Sequence, residues 1–212
     1  MSTQDNHLNH LKEIRGMMEK STKFLSLSGL SGVFAGIFAL LGALAAFIYF
    51  DSGNIKYDEY YNVLGDTPVN ALRFLLIDGL VVLTLAMLSG YYFSRRKAKK
   101  MKVSFWNPSA KQMMLHLLLP LLAGGFIILI LLWRNQMNFI PSFTLIFYGL
   151  GLISASKFST GEIFYLGVFE VITGLLSLVF CGYDLYFWAF GFGVLHILYG
   201  SIMYFRYDKQ SA

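Results

Sequence analysis

Four ionisable side chains stand inside stretches that otherwise carry no charge: Asp78, His116, Glu170 and His196. A charged group at the centre of a bilayer costs about 3 kcal/mol on insertion scales, so each needs a partner or a cavity. The strongest pattern joins the last two. Residues 167–174 read Gly-Val-Phe-Glu-Val-Ile-Thr-Gly, and residues 193–200 read Gly-Val-Leu-His-Ile-Leu-Tyr-Gly. Each octapeptide sets its ionisable residue three positions after one glycine and four before the next, a spacing that shares one helix face. Position 183 is midway between 170 and 196, inside the turn-like Gly182-Tyr183-Asp184. An antiparallel hairpin about that turn brings Glu170 and His196 to one depth, and the glycines allow close backbone approach. Thr173 and Tyr199 fall on the same faces, where they are expected to complete the hydrogen bonding. Two chemistries fit. One is a hydrogen-bonded clamp that fixes the hairpin's register. The other is a proton or ion relay, or a substrate contact, since histidine as a residue type can change charge near neutral pH.

The remaining polar positions are less specific. Asp78 lies about a turn and a half from Arg73. Pairing or hydration there is the plain expectation, and admission of a cation is the functional one. His116 is expected at an interface. His7 and His10 stand near Asp5 but lack a third metal ligand. Cys181 is the single cysteine, which excludes a disulfide framework and a multi-cysteine zinc site. No cofactor is implied. The chain has no Gly-x4-Gly-Lys-Ser/Thr, His-Glu-x2-His, Gly-x-Ser-x-Gly or Cys-x2-Cys motif. Gly149-Leu-Gly151 and Gly191-Phe-Gly193 lie within apolar runs, and helix packing is their expected role. Ser28, Gly32 and Gly36 give a small-residue face for contact within the chain or between chains.

The elements that position these groups follow from composition. The chain has 212 residues, 56% of them hydrophobic and 14% charged. Soluble domains carry about 25% charged residues, so lipid is the expected solvent. Six apolar runs are delimited by charges, at about 24–50, 72–94, 112–133, 139–156, 163–181 and 185–205. Each approaches the roughly 20 residues that cross a bilayer as helix, the form that satisfies every backbone group in lipid. The predicted fold is therefore all-α, a polytopic transmembrane bundle of six helices over residues 24–206. Residues 1–23 are read as a cytoplasmic amphipathic segment, with Leu8, Leu11, Ile14 and Met18 on one face of a short interfacial helix. The first apolar run is too long for the core of a cleavable signal and is expected to be retained. Residues 207–212 form a cytoplasmic tail. Gly125, Gly149 and Gly151 each find a glycine 42 residues later, at Gly167, Gly191 and Gly193, which suggests three repeated helical hairpins.

With both ends placed in the cytoplasm, fourteen lysines and arginines fall on that side and three (Lys56, Arg73 and Arg134) on the other, a strong positive-inside bias. Arg95, Arg96, Lys97, Lys99, Lys100 and Lys102 follow the second span directly. They form a surface for anionic lipid headgroups or an acidic partner, worth about 1 kcal/mol per residue near the membrane. No recognition module for nucleic acid accompanies them.

The stretch Gly-Phe-Gly-Val-Leu-His-Ile-Leu-Tyr-Gly-Ser-Ile-Met-Tyr-Phe at 191–205 resembles uncharacterised bacterial six-span membrane proteins. The glycine-marked hairpin is similar to acid-resistance membrane proteins of the HdeD type. These likenesses imply a bacterial inner (plasma) membrane, and they bring no assigned activity or functional residues.

Three functions are in competition. The first is a non-enzymatic membrane protein that binds lipid, a protein partner or a second copy of the chain, favoured by compact loops, basic segments and the lack of a catalytic motif. The second is a small proton-coupled transporter or channel using Glu170 and His196. The third is a membrane enzyme acting on a lipid or quinone. It ranks last, because the four intramembrane groups lie at different depths.

Overall fold

A computed structural model describes residues 26–52, 69–134 and 136–209. The amphipathic segment 1–23, with His7 and His10, lies outside them. The described residues are helical, joined by turns and short 3-10 segments, and contain no strand. The helices are α1 (Gly29–Ser52), α2 (Val69–Lys100), α3 (Pro108–Trp133), α4 (Ile140–Ala155), α5 (Gly161–Val179) and α6 (Asp184–Asp208). With its flanking 3-10 turns, α4 belongs to an apolar stretch Met137–Phe158, and all six stretches are long and apolar enough to cross a membrane. The chain is a multi-pass membrane protein.

Local signals set several boundaries. Asn107 caps α3, its side-chain oxygen accepting the Ala110 amide at 2.7 Å, with Pro108 following where no amide donor is needed. Pro141 lies in the first turn of α4 for the same reason, whereas Pro120 lies inside α3. Gly182 turns the α5–α6 hairpin at φ 89°, a backbone region that side-chain-bearing residues rarely adopt. The α2 helix does not stop at residue 94. It continues through the basic run to Lys100, because Arg, Lys and Ala are good helix formers.

Helices adjacent in sequence pack as three hairpins, and the hairpins join through α1 against α6 and α5 against α4. The flanks are α2, which packs on α1, and α3, which packs on α4. Glycines make the inner contacts. A methyl group on Gly149 would lie 2.6 Å from the Gly167 carbonyl oxygen, and one on Gly167 would lie 2.7 Å from that of Gly149. A methyl on Gly36 would lie 2.6 Å from the Gly193 oxygen, and one on Gly32 3.1 Å from the Gly200 Cα. The Gly32 and Gly36 face of the first helix is therefore spent within the chain, on α6.

Two expectations change here. The glycine faces of the two octapeptides do not meet each other: Gly167 and Gly174 face α4, while Gly193 and Gly200 face α1. Nor does the 42-residue spacing carry equivalent contacts. Gly125 meets open space where Gly167 is locked against α4; Gly151 faces Leu117 of α3 where Gly193 faces Leu40 of α1.

Gly167→Val should lower the unfolding midpoint in detergent, since overpacking of this kind costs about 1–3 kcal/mol. Gly79→Ala, at a glycine with nothing within 4 Å, should leave it unchanged. Equal midpoints for the two variants would contradict the α4–α5 contact.

Candidate functional site

Glu170 is the central residue of α5, and His196 is the central residue of α6. Glu170 is 0% exposed and His196 6%. The imidazole Nδ1 stands 3.2 Å from Glu170 Oε1 and 3.1 Å from the backbone oxygen of Gly191. On its other side, Nε2 is 2.9 Å from the hydroxyl of Tyr148, near the middle of α4. Three helices thus bring an acid, an imidazole and a phenol into one line at mid-height.

The backbone of α6 makes room for this arrangement. Residues Ala189–Leu195 form a π-helical segment, a widened turn that is often found at functional sites. A methyl on Gly191, within that segment, would lie 2.6 Å from Glu170 Oε2. Only a residue without a side chain lets the carboxyl group occupy this space. The Gly191 carbonyl sits five residues before His196, the separation of the π turn, and receives the imidazole N–H. Phe192 closes the side, with its ring centroid 5.1 Å from that of Tyr148 and 5.9 Å from that of His196.

Hydrogen-bond accounting fixes the neutral tautomer. A carbonyl oxygen cannot donate, so Nδ1 carries the proton and Nε2 accepts from Tyr148. The Nδ1–H group is directed to Gly191, and neither Glu170 oxygen has a hydrogen bond among the described residues. The 3.2 Å approach of Nδ1 is therefore an electrostatic contact. An ionised carboxylate in such surroundings needs a positive neighbour or a proton. The imidazole supplies the first when protonated, and the carboxyl group can take the second itself. If His196 becomes an imidazolium, Nε2–H turns donor and the Tyr148 oxygen must accept.

Other buried polar groups gather at the two ends of the bundle. At the end opposite the basic run, Ser142 Oγ donates to Ser177 Oγ at 2.8 Å, and Ser177 Oγ donates to Asp184 Oδ1 at 3.0 Å. The Gly182 amide donates to Asp184 Oδ2 at 3.2 Å. At the basic end, Glu162 accepts from Arg206 at 2.8 Å and from the Tyr207 hydroxyl at 2.9 Å. Asp208 pairs with Lys97 at 2.7 Å and accepts from Ser28 Oγ at 2.8 Å and the Gly29 amide at 3.0 Å. It thereby ties the last turn of α6 to the positive start of α1.

The other residues singled out by sequence are dispersed. Thr173 is buried, but its hydroxyl donates to the Phe169 carbonyl of its own helix at 2.7 Å. Tyr199 packs on the Phe169 ring and makes no hydrogen bond to the pair among the described residues. Asp78 lies against Gly42 of α1, and among the described residues it has no ion pair with the exposed Arg73. His116 bonds Ser154 at 3.2 Å and meets the Phe158 ring at a tilt, with centroids 4.8 Å apart. Arg95, Arg96, Lys99, Lys100 and Lys102 are exposed, but Lys97 turns inward, its side chain 9% exposed against Asp208. It does not share the open basic surface. No cluster of three or more His, Cys, Asp or Glu that could hold a metal occurs among the described residues.

Sequence reasoning missed Tyr148, Ser142, Ser177 and Asp184. A tyrosine hydroxyl at the centre of an apolar run was the available signal for the first. The geometry defines a helical membrane protein with a buried acid–imidazole–phenol line. No protein family, curated protein or solved structure matches the chain.

Nitrogen-15 NMR in lipid at alkaline pH should show His196 as the Nδ1–H tautomer, with the Nε2 signal moved by Tyr148→Phe. An Nε2–H tautomer would contradict the contact with Gly191.

Proposed function

We propose that this protein is a small proton-coupled transporter or channel in which Glu170, His196 and Tyr148 hold and pass a proton at the membrane centre. One observation carries the reading: Glu170 is fully buried, and among the described residues its oxygens have no hydrogen bond, only the 3.2 Å approach of His196 Nδ1. A clamp selected for stability saturates its polar atoms, since unsatisfied ones are costly in a low dielectric. A carboxyl group kept unsaturated beside an imidazole has room for one more proton. The bacterial inner membrane is proposed as its location, on the resemblance of residues 191–205 to bacterial six-span proteins. The basic end is proposed to face the cytoplasm, on the distribution of lysine and arginine.

Purified protein in liposomes with an internal pH dye should show proton flux under an imposed gradient. Glu170→Gln and His196→Ala should reduce it to the level of empty liposomes. Tyr148→Phe should slow it while leaving the protein folded. Equal flux in wild type and all three variants would remove the reading.

A second reading, recognition of anionic lipid, is favoured by the five exposed basic side chains at the end of α2. Replacing Arg95, Arg96, Lys99 and Lys100 with Gln should strip co-purifying anionic lipid in native mass spectrometry. Lys97→Gln should instead lower thermal stability, because it leaves Asp208 without its counter-ion. Lipid retention by the fourfold variant would count against the surface.

A further inference from the structure

A cavity of about 160 Å³ opens at the end of the bundle opposite the basic run, lined by Asn138, Phe139, Ser177, Leu178, Cys181, Gly182 and Asp184. Its floor is polar and built. Ser177 is 0% exposed and Asp184 3%, and the donor chain from Ser142 through Ser177 ends on the Asp184 carboxylate.

The same helix leads from this floor to Glu170. Glu170, Thr173 and Ser177 are three and four residues apart, which places them on one face of α5, and all three are buried. The steps along the axis are about 4.5 and 6 Å. Thr173 donates its own proton to Phe169, so its oxygen lone pairs remain free to accept. On α4, Leu145 stands three residues from Ser142 and three from Tyr148, and it is 0% exposed. It packs against Gly191, the residue that also borders the Glu170 carboxyl group. Leu145 thus stands beside the Glu170 carboxyl group, at a height on α4 between Ser142 and Tyr148.

We propose that this cavity is the inlet through which protons reach Glu170, with Asp184 as the acceptor, Ser177 and Thr173 as the relay and Leu145 as the gate. The inference rests on the proton-coupled reading above and gives it a route. Hydronium in the cavity protonates the Asp184 carboxylate and leaves water. The acid passes a proton to Ser177 Oγ, which gives up its own hydroxyl proton in turn. Thr173 repeats the exchange, with a water bridging the longer step when Leu145 moves aside. The Glu170–His196 pair gains one proton, and each relay group ends with the number it started with.

Cys181 lines the same cavity, is exposed and is the only cysteine, so the native protein carries its own reporter. The test treats right-side-out proteoliposomes with a membrane-impermeant cationic methanethiosulfonate. Modification should slow proton uptake at least fivefold in wild type and leave Cys181→Ser unaffected. Asp184→Asn should slow it to a similar degree, and Leu145→Ala should speed it. Flux that Glu170→Gln abolishes but that Cys181 modification and Asp184→Asn leave unchanged would overturn the inlet while the central relay stands.

A second readout needs no flux. In the Cys181→Ser background, Thr173→Cys should resist the reagent when Leu145 is present and react at least tenfold faster when Leu145 is Ala. Equal labelling with and without Leu145 would overturn the gate, whatever the transport assay shows.

Discussion

Glu170 occupies the centre of a transmembrane helix, has no exposed surface, and finds among the described residues a single group that can balance its charge, the imidazole 3.2 Å away on the next helix. Hydrocarbon offers no water to make up a shortfall, so the positions of both side chains must be held closely. Much of the surrounding backbone is arranged to that end. The π turn at Ala189–Leu195 brings Gly191 rather than a side chain against the carboxyl group and aims a carbonyl at the imidazole. Tyr148 holds the other ring nitrogen from a third helix.

The glycine contacts serve the same geometry at longer range. In lipid, helices gain little from apolar burial and associate through close van der Waals packing. Reciprocal approach at Gly149 and Gly167 sets α4 on α5, and Gly32 and Gly36 set α1 on α6. These contacts fix the heights of α4 and α6 relative to their neighbours, and with them the heights of Tyr148 and His196. Ion pairs at the basic end, Lys97 with Asp208 and Arg206 with Glu162, anchor the ends of α2, α5 and α6.

The parts legible in the sequence were those in which one residue type breaks a uniform background. Six apolar runs between charges give six helices, and an acid and a histidine placed symmetrically about a glycine turn give facing neighbours. Tyr148 was hard to read because a tyrosine does not interrupt an apolar run, and its hydroxyl alone does not say which helix it will meet. Asp184 marked the end of a span, and nothing local showed that Ser142, 42 residues away, would help to bury it. The glycine octapeptides named faces but not the helices those faces would meet. The inward turn of Lys97 depended on α2 continuing past residue 94. Ser94, Lys97 and Ala98 then share one helix face, and that face is turned toward the bundle.

Whether the acid and the imidazole depend on each other is measured most directly by a double-mutant cycle in lipid, comparing the unfolding free energies of Glu170→Gln, His196→Ala and the two combined. A coupling of about 1 kcal/mol or more is expected, toward the upper end for polar contacts between transmembrane helices. Strictly additive losses would mean that the two side chains are neighbours without being partners, and the central relay would have no basis.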